Sequence, residues 1–247
     1  MLTHPTHERL IALGLTGMAK ALEEQRRQSD LAALDFEERL ALMIDREAIE
    51  RENKQLISRL KVARLRQSAV VEDVNLKVAR SLDKALFAKL VAGDWIQRHQ
   101  NLLIIGKAGV GKSWLACALG HKACRDNRSV LYHRLPRLFD ALLIARGDGR
   151  YGRLLKTLAR VELLILDDWG LAPLTPEQGR DLLEVLERPP WTFFNNRDQS
   201  TPRRALARID RQSDHRGCHP GSARAQRPSP DPERRQHAKI GCQAIGP

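Results

Sequence analysis

The chain has 247 residues and a formal net charge of +12 at pH 7, a length that suits one α/β domain with a helical extension. It contains no run of 18 apolar residues and its N-terminus has no signal-peptide pattern, so we expect a cytoplasmic protein that makes no membrane contact. The cysteines lack metal-type spacing, which disfavours both a metal cluster and disulfides: they are Cys117, Cys124, Cys218 and Cys242.

Residues 6–66 are predicted to be helical, because apolar side chains recur there at roughly helical intervals. Gly14 and Gly17 mark a short break, and Asp35 is placed to cap a second helix.

The last part of this region, residues 46–66, combines a leucine stripe with a row of cations. A basic helix of this kind can track a DNA backbone, and the candidate DNA contacts are Arg51, Lys54, Arg59, Lys61, Arg64 and Arg66. The same pattern is typical of a solvated face with intrahelical ion pairs such as Glu47–Arg51. Because aromatic residues for base stacking are absent here, the sequence leaves both interpretations open.

Residues 82–99 are predicted to form one helix, followed by an apolar strand at 102–105. The next eight residues read G-K-A-G-V-G-K-S and match the phosphate-binding pattern G-x-x-x-x-G-K-[S/T], and a helix-forming stretch follows at 114–119. The predicted nucleotide-binding residues are Gly106, Lys107, Ala108, Gly109, Val110, Gly111, Lys112 and Ser113.

The residue types of this motif suit a nucleoside triphosphate with Mg²⁺. Backbone N–H groups of a glycine-rich turn and the helix N-terminus bind phosphate oxygens, and Gly109 and Gly111 keep Cβ atoms out of the way. Lys112 supplies a charge for the β- and γ-phosphates, and the Ser113 hydroxyl is a Mg²⁺ ligand. The alternative is a glycine-rich turn that caps a helix and binds nothing.

A second strand is predicted at 129–133, followed by a helix at 135–145. Residues 146–153 read R-G-D-G-R-Y-G-R and are predicted to be a glycine-rich loop. Its three arginines suit contact with DNA or a neighbouring subunit, and the composition equally suits an exposed connector.

Four consecutive aliphatic residues at 163–166 predict a strand buried on both faces, as in a parallel sheet. Asp167 and Asp168 follow at its C-terminal end, where open α/β sheets bind their ligands. Asp167 is suited to hold Mg²⁺, and Asp168 and Lys112 are the predicted catalytic residues, with Asp168 orienting or deprotonating the attacking water. Alone, this pair could simply begin a turn; together with the phosphate loop it predicts an ATPase core. A helix is expected at 176–187.

Several stretches resemble the IstB-like helper ATPases of insertion sequences, an AAA+ family similar to the DnaC and DnaA replication ATPases. They include D-W-I-Q-R-H-Q-N-L-L-I-I-G-K-A-G-V-G-K-S, R-G-D-G-R-Y-G-R-L-L and L-L-I-L-D-D-W-G-L-A-P-L-T, and the resemblance covers residues 1 to about 187. It implies a P-loop parallel sheet flanked by helices, with ATP and Mg²⁺ as cofactors. It also implies assembly as a homo-oligomer on double-stranded DNA, recruitment or activation of a cognate transposase, and an N-terminal helical region that contacts DNA or the transposase.

We therefore expect a helical N-terminal region at 1–75, an ATPase core at 76–187 and a proline- and arginine-rich, irregular and disordered tail at 188–247. The tail holds 8 of the 12 prolines and only four Val, Ile or Leu residues, too few to offset its chain entropy. In the resembled family a strand with a polar sensor residue and a D-R-L stretch with an arginine finger should follow here. Neither is recognisable in the written sequence, so we expect a sheet that lacks a strand, a marginal or misfolded product and impaired ATP hydrolysis. Residues 192–194 could substitute as a very short strand, which residues 195–198 would end quickly.

A single-base frameshift near codon 188 would explain this change. Codons can be chosen for residues 188 onward so that the neighbouring frame reads coherent family sequence over some 45 codons, including I-L-D-R-L. We hypothesise such a shift, and the nucleotides around codon 188 test it.

Three functions remain open on the sequence. The first is an ATP-dependent helper of DNA transposition, and the second is a DnaC-like helicase loader, which shares the core. The third is an inactive, truncated remnant that binds DNA only through its basic residues. Salt-sensitive DNA binding that ignores ATP would favour the third.

Overall fold

A computed structural model describes residues 4–28, 34–76, 82–169 and 173–186, together with the backbone of 192–198 and 241–245. Tertiary contacts divide the chain into two compact units, Met1–Lys61 and Val62–Pro247. This division falls before the boundary at residue 75 expected from the sequence, so residues 62–76 belong with the second unit. Within the described residues, no helix combines the length and the apolar character needed to cross a bilayer.

The first unit consists of helices α1 (Pro5–Ala12), α2 (Thr16–Arg27) and most of α3 (Phe36–Ala63). The predicted break between the first two is confirmed at Gly14, which takes the left-handed φ of 77° that glycine adopts at low cost. Gly17, assigned to the same break, lies inside α2, so that part of the prediction is wrong. Asp35 caps α3 as expected: its Oδ1 accepts the Glu38 N–H at 2.7 Å, while the Glu38 carboxylate accepts the Asp35 N–H at 3.2 Å.

Helix α3 ends at Ala63, so the prediction that the helical region extends to residue 66 is wrong at its C-terminal end. The physical reason is Arg64, whose φ of 52° lies in the left-handed region and cannot continue an α-helix.

Helices α2 and α3 cross at Gly17. A Cβ added there would lie 2.6 Å from the Arg46 carbonyl oxygen, so the two backbones can approach this closely only at glycine. The buried Glu47 carboxylate accepts the N–H groups of Gly17 at 2.7 Å and of Met18 at 3.2 Å, and Arg51 donates to its other oxygen at 2.8 Å. Glu47 thereby satisfies helix N-terminal N–H groups that would otherwise have no partner.

The second unit contains five strands and six of the described helices. In chain order these are α4 (Lys84–Ala92), α5 (Asp94–Gln97), β1 (Asn101–Gly106), α6 (Lys112–Arg125), β2 (Val130–Arg134), α7 (Leu135–Gly147), α8 (Tyr151–Leu158), β3 (Leu163–Trp169), α9 (Pro176–Leu186), β4 (Thr192–Asp198) and β5 (Gly241–Ile245). The single helix predicted at 82–99 is wrong, because Gly93, with a φ of 80°, ends α4 and starts α5.

The strands form one sheet in the order β2-β3-β4-β1-β5, with β5 antiparallel and the other four parallel. The expectation that the strand between β3 and β1 is missing is wrong, since β4 fills that position. Its Phe194 backbone lies opposite Leu102 of β1 and Ile165 of β3. Pairing on both sides outweighs the weak strand propensity of the asparagines in β4. The expected tail residues 199–240 lie outside the described residues.

Helices cover both faces of the sheet. On one face α6 packs closely, because a Cβ at Gly120 would lie 2.7 Å from Ile165 Cδ1. On the other face α7, α8 and α9 share an apolar core with alternate residues of β3, including Leu164, Leu166 and Trp169. Strand β3 is therefore buried on both faces, as its aliphatic run predicted.

The glycine-rich loop predicted at 146–153 is shorter than expected, because α7 continues through Gly147 and α8 begins at Tyr151. Two of its three arginines interact with side chains of the same segment. The Arg146 guanidinium lies 4.4 Å from the centre of the Tyr151 ring, and Arg150 pairs with Asp148.

Candidate nucleotide-binding site

The phosphate-loop motif connects the end of β1 to the start of α6. Strand β1 ends at Gly106 and α6 begins at Lys112. Between them Gly109 and Gly111 have φ values of 79° and 92°, which side-chain-bearing residues adopt only at a cost. These glycines are thus required by the backbone conformation of the loop as well as by the space near a phosphate.

The Lys112 side chain folds back over the loop. Its ammonium donates to the carbonyl oxygens of Gly106 at 3.0 Å and Lys107 at 2.8 Å, and the residue is only 9% exposed. An ammonium group carries three donors, so a phosphate oxygen beside the loop can accept a further hydrogen bond from the same nitrogen. The contact holds the positive charge directly at the turn.

Strand β3 contains a β-bulge at the two carboxylates. Leu166 lies opposite Asn195 of β4 and Trp169 opposite Arg197, so β3 has one more residue than β4 over this interval. Asp168 has a left-handed φ of 60°, a conformation that aspartate tolerates better than most residues. Because of the bulge, the Trp169 side chain packs in the apolar core, and the side chains of the two aspartates point in different directions.

Asp167 is fully buried and its carboxylate is held by two donors. The Tyr132 hydroxyl donates to Oδ2, and the Asp168 N–H donates to Oδ1 at 2.8 Å. Burial, together with the hydrogen bond to Asp167 and the charge of that carboxylate, raises the pKa of Tyr132 far above its usual range. The phenol therefore stays protonated and remains a hydrogen-bond donor.

Asp168 is held by a different residue of β2. Arg134 Nε donates to Asp168 Oδ2, and the Asp168 side chain is 19% exposed. The hydrogen bond to Asp168 raises the pKa of Arg134 above its usual value. Of the two neighbouring carboxylates, one is thus buried against a phenol and the other is partly exposed and ion-paired.

The phosphate loop and the two carboxylates lie at the same edge of the sheet. The backbone of Arg197 on β4 lies opposite Ile105 of β1 on one side and opposite Trp169 of β3 on the other. The loop after Gly106 and the aspartates before Trp169 therefore leave parallel strands at nearly the same height. Only β4 separates those strands, which corresponds to about 10 Å at the usual strand spacing.

Helix α6 points its first turn toward the same edge. Gly120 packs against Ile165. One turn earlier, burial raises the pKa of the Cys117 thiol, and the nearby charge of Asp167 acts in the same direction. The helix thus runs antiparallel to β3, and the turn before Cys117 carries Ser113. Ser113 and Asp167 are consequently both directed to the carboxyl end of the sheet.

The donor set at this edge suits Mg²⁺. Magnesium prefers hard oxygen ligands and is commonly held by one or two protein groups plus substrate phosphates. The Asp167 carboxylate is fixed by two hydrogen bonds and the Ser113 hydroxyl lies in the first turn of α6, so the residues fit a cation shared with a triphosphate. No group of three or more metal-binding side chains occurs among the described residues.

The six candidate DNA contacts are divided between the two units. Arg51, Lys54, Arg59 and Lys61 lie on α3, while Arg64 and Arg66 follow its end. Lys54 donates to the Thr16 hydroxyl at 2.6 Å and Arg59 to the Gln55 side chain at 3.1 Å. Arg66 belongs to the second unit, where its side chain slightly opposes the rise in the pKa of Tyr132. The structure therefore does not place all six on one basic helix.

Sequence reasoning missed Tyr132, Arg134 and the placement of Arg66. Tyr132 belonged to a predicted strand without an assigned role, and Arg134 lay just beyond its predicted end. Their alternation along β2 would indicate one common face, but only the pairing of β2 with β3 shows that this face meets the aspartates.

A parallel sheet with the order β2-β3-β4-β1, a phosphate loop after β1 and acidic residues at the end of β3 define a nucleotide-binding fold of the P-loop class. The chain belongs to the family of IstB-like ATP binding proteins, whose family model matches residues 8–189.

Similar proteins come from insertion sequences. A putative insertion sequence ATP-binding protein of Sinorhizobium fredii is 58% identical over 187 residues, which is 76% of each chain. The insertion sequence IS1162 putative ATP-binding protein of Pseudomonas fluorescens is 50% identical over 188 residues, covering 76% of this chain and 81% of the relative.

Among solved structures, the DnaC helicase loader matches with a TM-score of 0.45 and 18% identity, over 60% of this chain and 86% of that one.

The family match ends at residue 189, close to where the composition changes. This end point is consistent with the frameshift hypothesis, which stays a prediction.

Proposed function

We propose that this protein is an ATP-dependent helper of DNA transposition, which binds ATP with Mg²⁺, assembles as a homo-oligomer on double-stranded DNA and recruits or activates a transposase. The observation that carries the proposal is the common edge of the sheet shared by the phosphate loop and the two aspartates. Membership of an insertion-sequence family supports the biological setting.

Each residue of the site has a proposed role. The loop from Gly106 to Ser113 binds the phosphates, with Lys112 placing its charge on the β- and γ-phosphates. Ser113 and Asp167 hold Mg²⁺, which when bound neutralises charge on the triphosphate. Asp168 orients or deprotonates the attacking water, and its partial exposure gives that water access.

Release of Asp168 from Arg134 is part of this proposal, because the guanidinium occupies one of the carboxylate oxygens that would otherwise contact the attacking water. A partner that breaks the Arg134–Asp168 ion pair, and so lets a water molecule contact Asp168, therefore controls hydrolysis. DNA or a neighbouring subunit are the partners that we propose for this exchange.

DNA contact is assigned to exposed cations of the helical unit, with Arg51, Lys54 and Lys61 as the solvent-exposed candidates on α3. Arg51 is 60% exposed even though it pairs with Glu47, so its guanidinium still reaches solvent. Cations of this kind bind phosphates without sequence preference and release counterions, which makes the binding salt-dependent.

Duplex binding with and without Mg-ATP tests the proposal. We expect ATP to increase the retention of a DNA duplex by the wild-type protein and to have no effect on Lys112→Ala. A second assay captures partners from an extract that contains both an insertion-sequence transposase and a replicative helicase, and the expected partner is the transposase.

Two outcomes would select another function. Retention that falls with salt but is the same with and without ATP, in wild type and Lys112→Ala alike, would indicate a remnant that binds DNA through its basic residues. Capture of a replicative helicase in place of the transposase would indicate a helicase loader.

A further inference from the structure

Tyr132 lies where it can control the orientation of the proposed magnesium ligand. Its backbone is level with Ile165 on β3, so its side chain and that of Asp167, two residues further along, share one face of the sheet. The hydroxyl donates to Asp167 Oδ2, and both residues are buried, with Tyr132 7% and Asp167 0% exposed. The bond is thus formed out of contact with bulk water, where it constrains the carboxylate most strongly.

The chemistry of the two groups fixes the direction of that hydrogen bond. A carboxylate only accepts and a phenol has one proton, so the Tyr132 proton is directed to Asp167. The nearby Arg66 side chain acts on the same hydroxyl and slightly opposes the rise in the pKa of Tyr132.

The segment that carries Arg66 is packed against α6. Leu65 Cδ2 lies 3.1 Å from the position that a Cβ on Gly120 would occupy. A few residues later Glu72 pairs with Arg125 at 2.5 Å. Ala63 and Ala69, on either side of Arg66, are fully buried. The exposed guanidinium is therefore attached to a backbone that is fixed on both sides.

We propose that Tyr132 is a positioning residue for the proposed nucleotide site, that it holds the Asp167 carboxylate in the orientation that binds Mg²⁺, and that the neighbouring Arg66 supports it. This rests on the proposed function, in which Asp167 is a magnesium ligand. Outer partners that orient a metal-binding carboxylate commonly change metal affinity 10- to 100-fold when they are removed.

The test measures how the affinity for a non-hydrolysable fluorescent ATP analogue depends on MgCl₂ concentration in the full chain. For Tyr132→Phe we expect the Mg²⁺ concentration that gives half-maximal tight binding to rise about tenfold. Affinity for the analogue in EDTA should stay at the wild-type value, because the phosphate loop is unchanged. Arg66→Ala should shift the same midpoint in the same direction by a smaller factor.

The chain offers matched controls. Tyr151, the other of its two tyrosines, has its hydroxyl within hydrogen-bonding distance of two carboxylates on α9, Asp181 at 2.9 Å and Glu184 at 2.8 Å, and its one proton can be donated to either. Tyr151→Phe should therefore leave the Mg²⁺ midpoint unchanged. Arg160, exposed in the same unit, supplies the control for Arg66.

The outcomes distinguish failure of the positioning role from failure of the proposed function. If the wild type binds the analogue but both Tyr132→Phe and Arg66→Ala keep its Mg²⁺ midpoint, the positioning role is wrong and the proposed function stands. If the wild type does not bind the analogue, both are wrong. Thermal unfolding shows whether Tyr132→Phe folds; if it does not, Arg66→Ala decides, because its exposed side chain is removed without opening the core.

Discussion

The two consecutive carboxylates at the end of β3 have different surroundings. Asp167 is fully buried and accepts from Tyr132 and from a backbone N–H, whereas Asp168 is partly exposed and pairs with Arg134. The bulge between Leu166 and Trp169 produces this difference, because it adds one residue at Asp168 without moving Trp169 out of the core. A buried, fixed oxygen suits a metal ligand, and an exposed, exchangeable one suits a base.

Asp168→Asn should therefore separate nucleotide binding from hydrolysis. The amide keeps the size and the left-handed conformation, since asparagine also tolerates it, but it cannot accept a proton. We expect Mg-ATP affinity within about twofold of wild type and a hydrolysis rate lower by a factor of about 10² or more. Binding is measured by equilibrium titration and hydrolysis by phosphate release. Asp148→Asn, which alters an exposed carboxylate paired with Arg150, is the control and should hydrolyse ATP at the wild-type rate.

Among the site residues, the sequence predicted those that belong to one contiguous motif. The phosphate loop is a contiguous motif, so all eight of its residues could be identified before the strand and helix around it were known. Tyr132 and Arg134 could not be assigned, because their roles depend on β2 lying next to β3, and the paired residues of these two strands are 33 positions apart in the chain.

Among the elements, the crossing of α2 and α3 depends most on a single residue. At Gly17 a Cβ would meet the Arg46 carbonyl oxygen and Glu47 Cα, both at 2.6 Å. Backbone atoms cannot swing away as a flexible side chain does, so the helices would have to separate. Separation would also break the hydrogen bonds from Gly17 and Met18 to the buried Glu47 carboxylate.

Gly17→Ala should therefore destabilise the helical unit, by about 1–3 kcal/mol as overpacking does elsewhere. Gly152→Ala is the matched control, because Gly152 lies in α8, has no atom within 4 Å of an added Cβ and does not have a left-handed φ. Alanine there should raise stability by about 0.5–1 kcal/mol. Chemical unfolding followed by circular dichroism measures both; equal effects of the same sign would contradict the proposed close approach.

Helix ends were predictable where a local signal sets them and missed where it does not. Gly14 and the Asp35–Glu38 pair are signals of that kind, and both lie at helix ends in the structure. Gly93 was missed because the apolar pattern continues through it, so the turn is visible only in the φ of 80° that this glycine takes in the structure. Arg64 carries no end signal at all, since arginine is a good helix former.

In the whole molecule, β4 completes the sheet between the strand with the phosphate loop and the strand with the aspartates. Both neighbours depend on it, because each unpaired buried backbone group costs about 1–3 kcal/mol and an entire domain is stable by only about 5–15 kcal/mol. Strand β5 lies at the edge and pairs only with β1. The two C-terminal strands should thus differ in their contribution to stability.

Truncation tests this difference. A chain that ends at residue 187 lacks both strands, and we expect it to lose cooperative thermal unfolding. A chain that ends at residue 240 lacks only β5 and should unfold cooperatively at a modestly lower midpoint. If the shorter chain unfolds at the same temperature as the full chain, the sheet does not depend on β4.

The sequence predicted a missing strand because the tail after residue 187 differs from the pattern of the resembled family and is poor in Val, Ile and Leu. Strand formation there is decided by two exposed sheet edges, of β3 and of β1, which offer backbone partners to any extended segment that reaches them. Pairing of this kind is a property of the assembled sheet, so local composition did not reveal it. The expectation of a misfolded product loses its main reason with β4 in place.

The central claim is that the loop from Gly106 to Ser113 binds the phosphates of ATP, and the most direct measurement compares Mg-ATP affinity in wild type and Lys112→Ala. Lys122→Ala is the control, because Lys122 lies on the same helix α6 and pairs with Asp126. We predict that Lys112→Ala weakens binding at least tenfold while Lys122→Ala binds as the wild type does, since removing one charged hydrogen bond costs about 1.5–3 kcal/mol. Equal affinity in wild type and Lys112→Ala would contradict the assignment of the site.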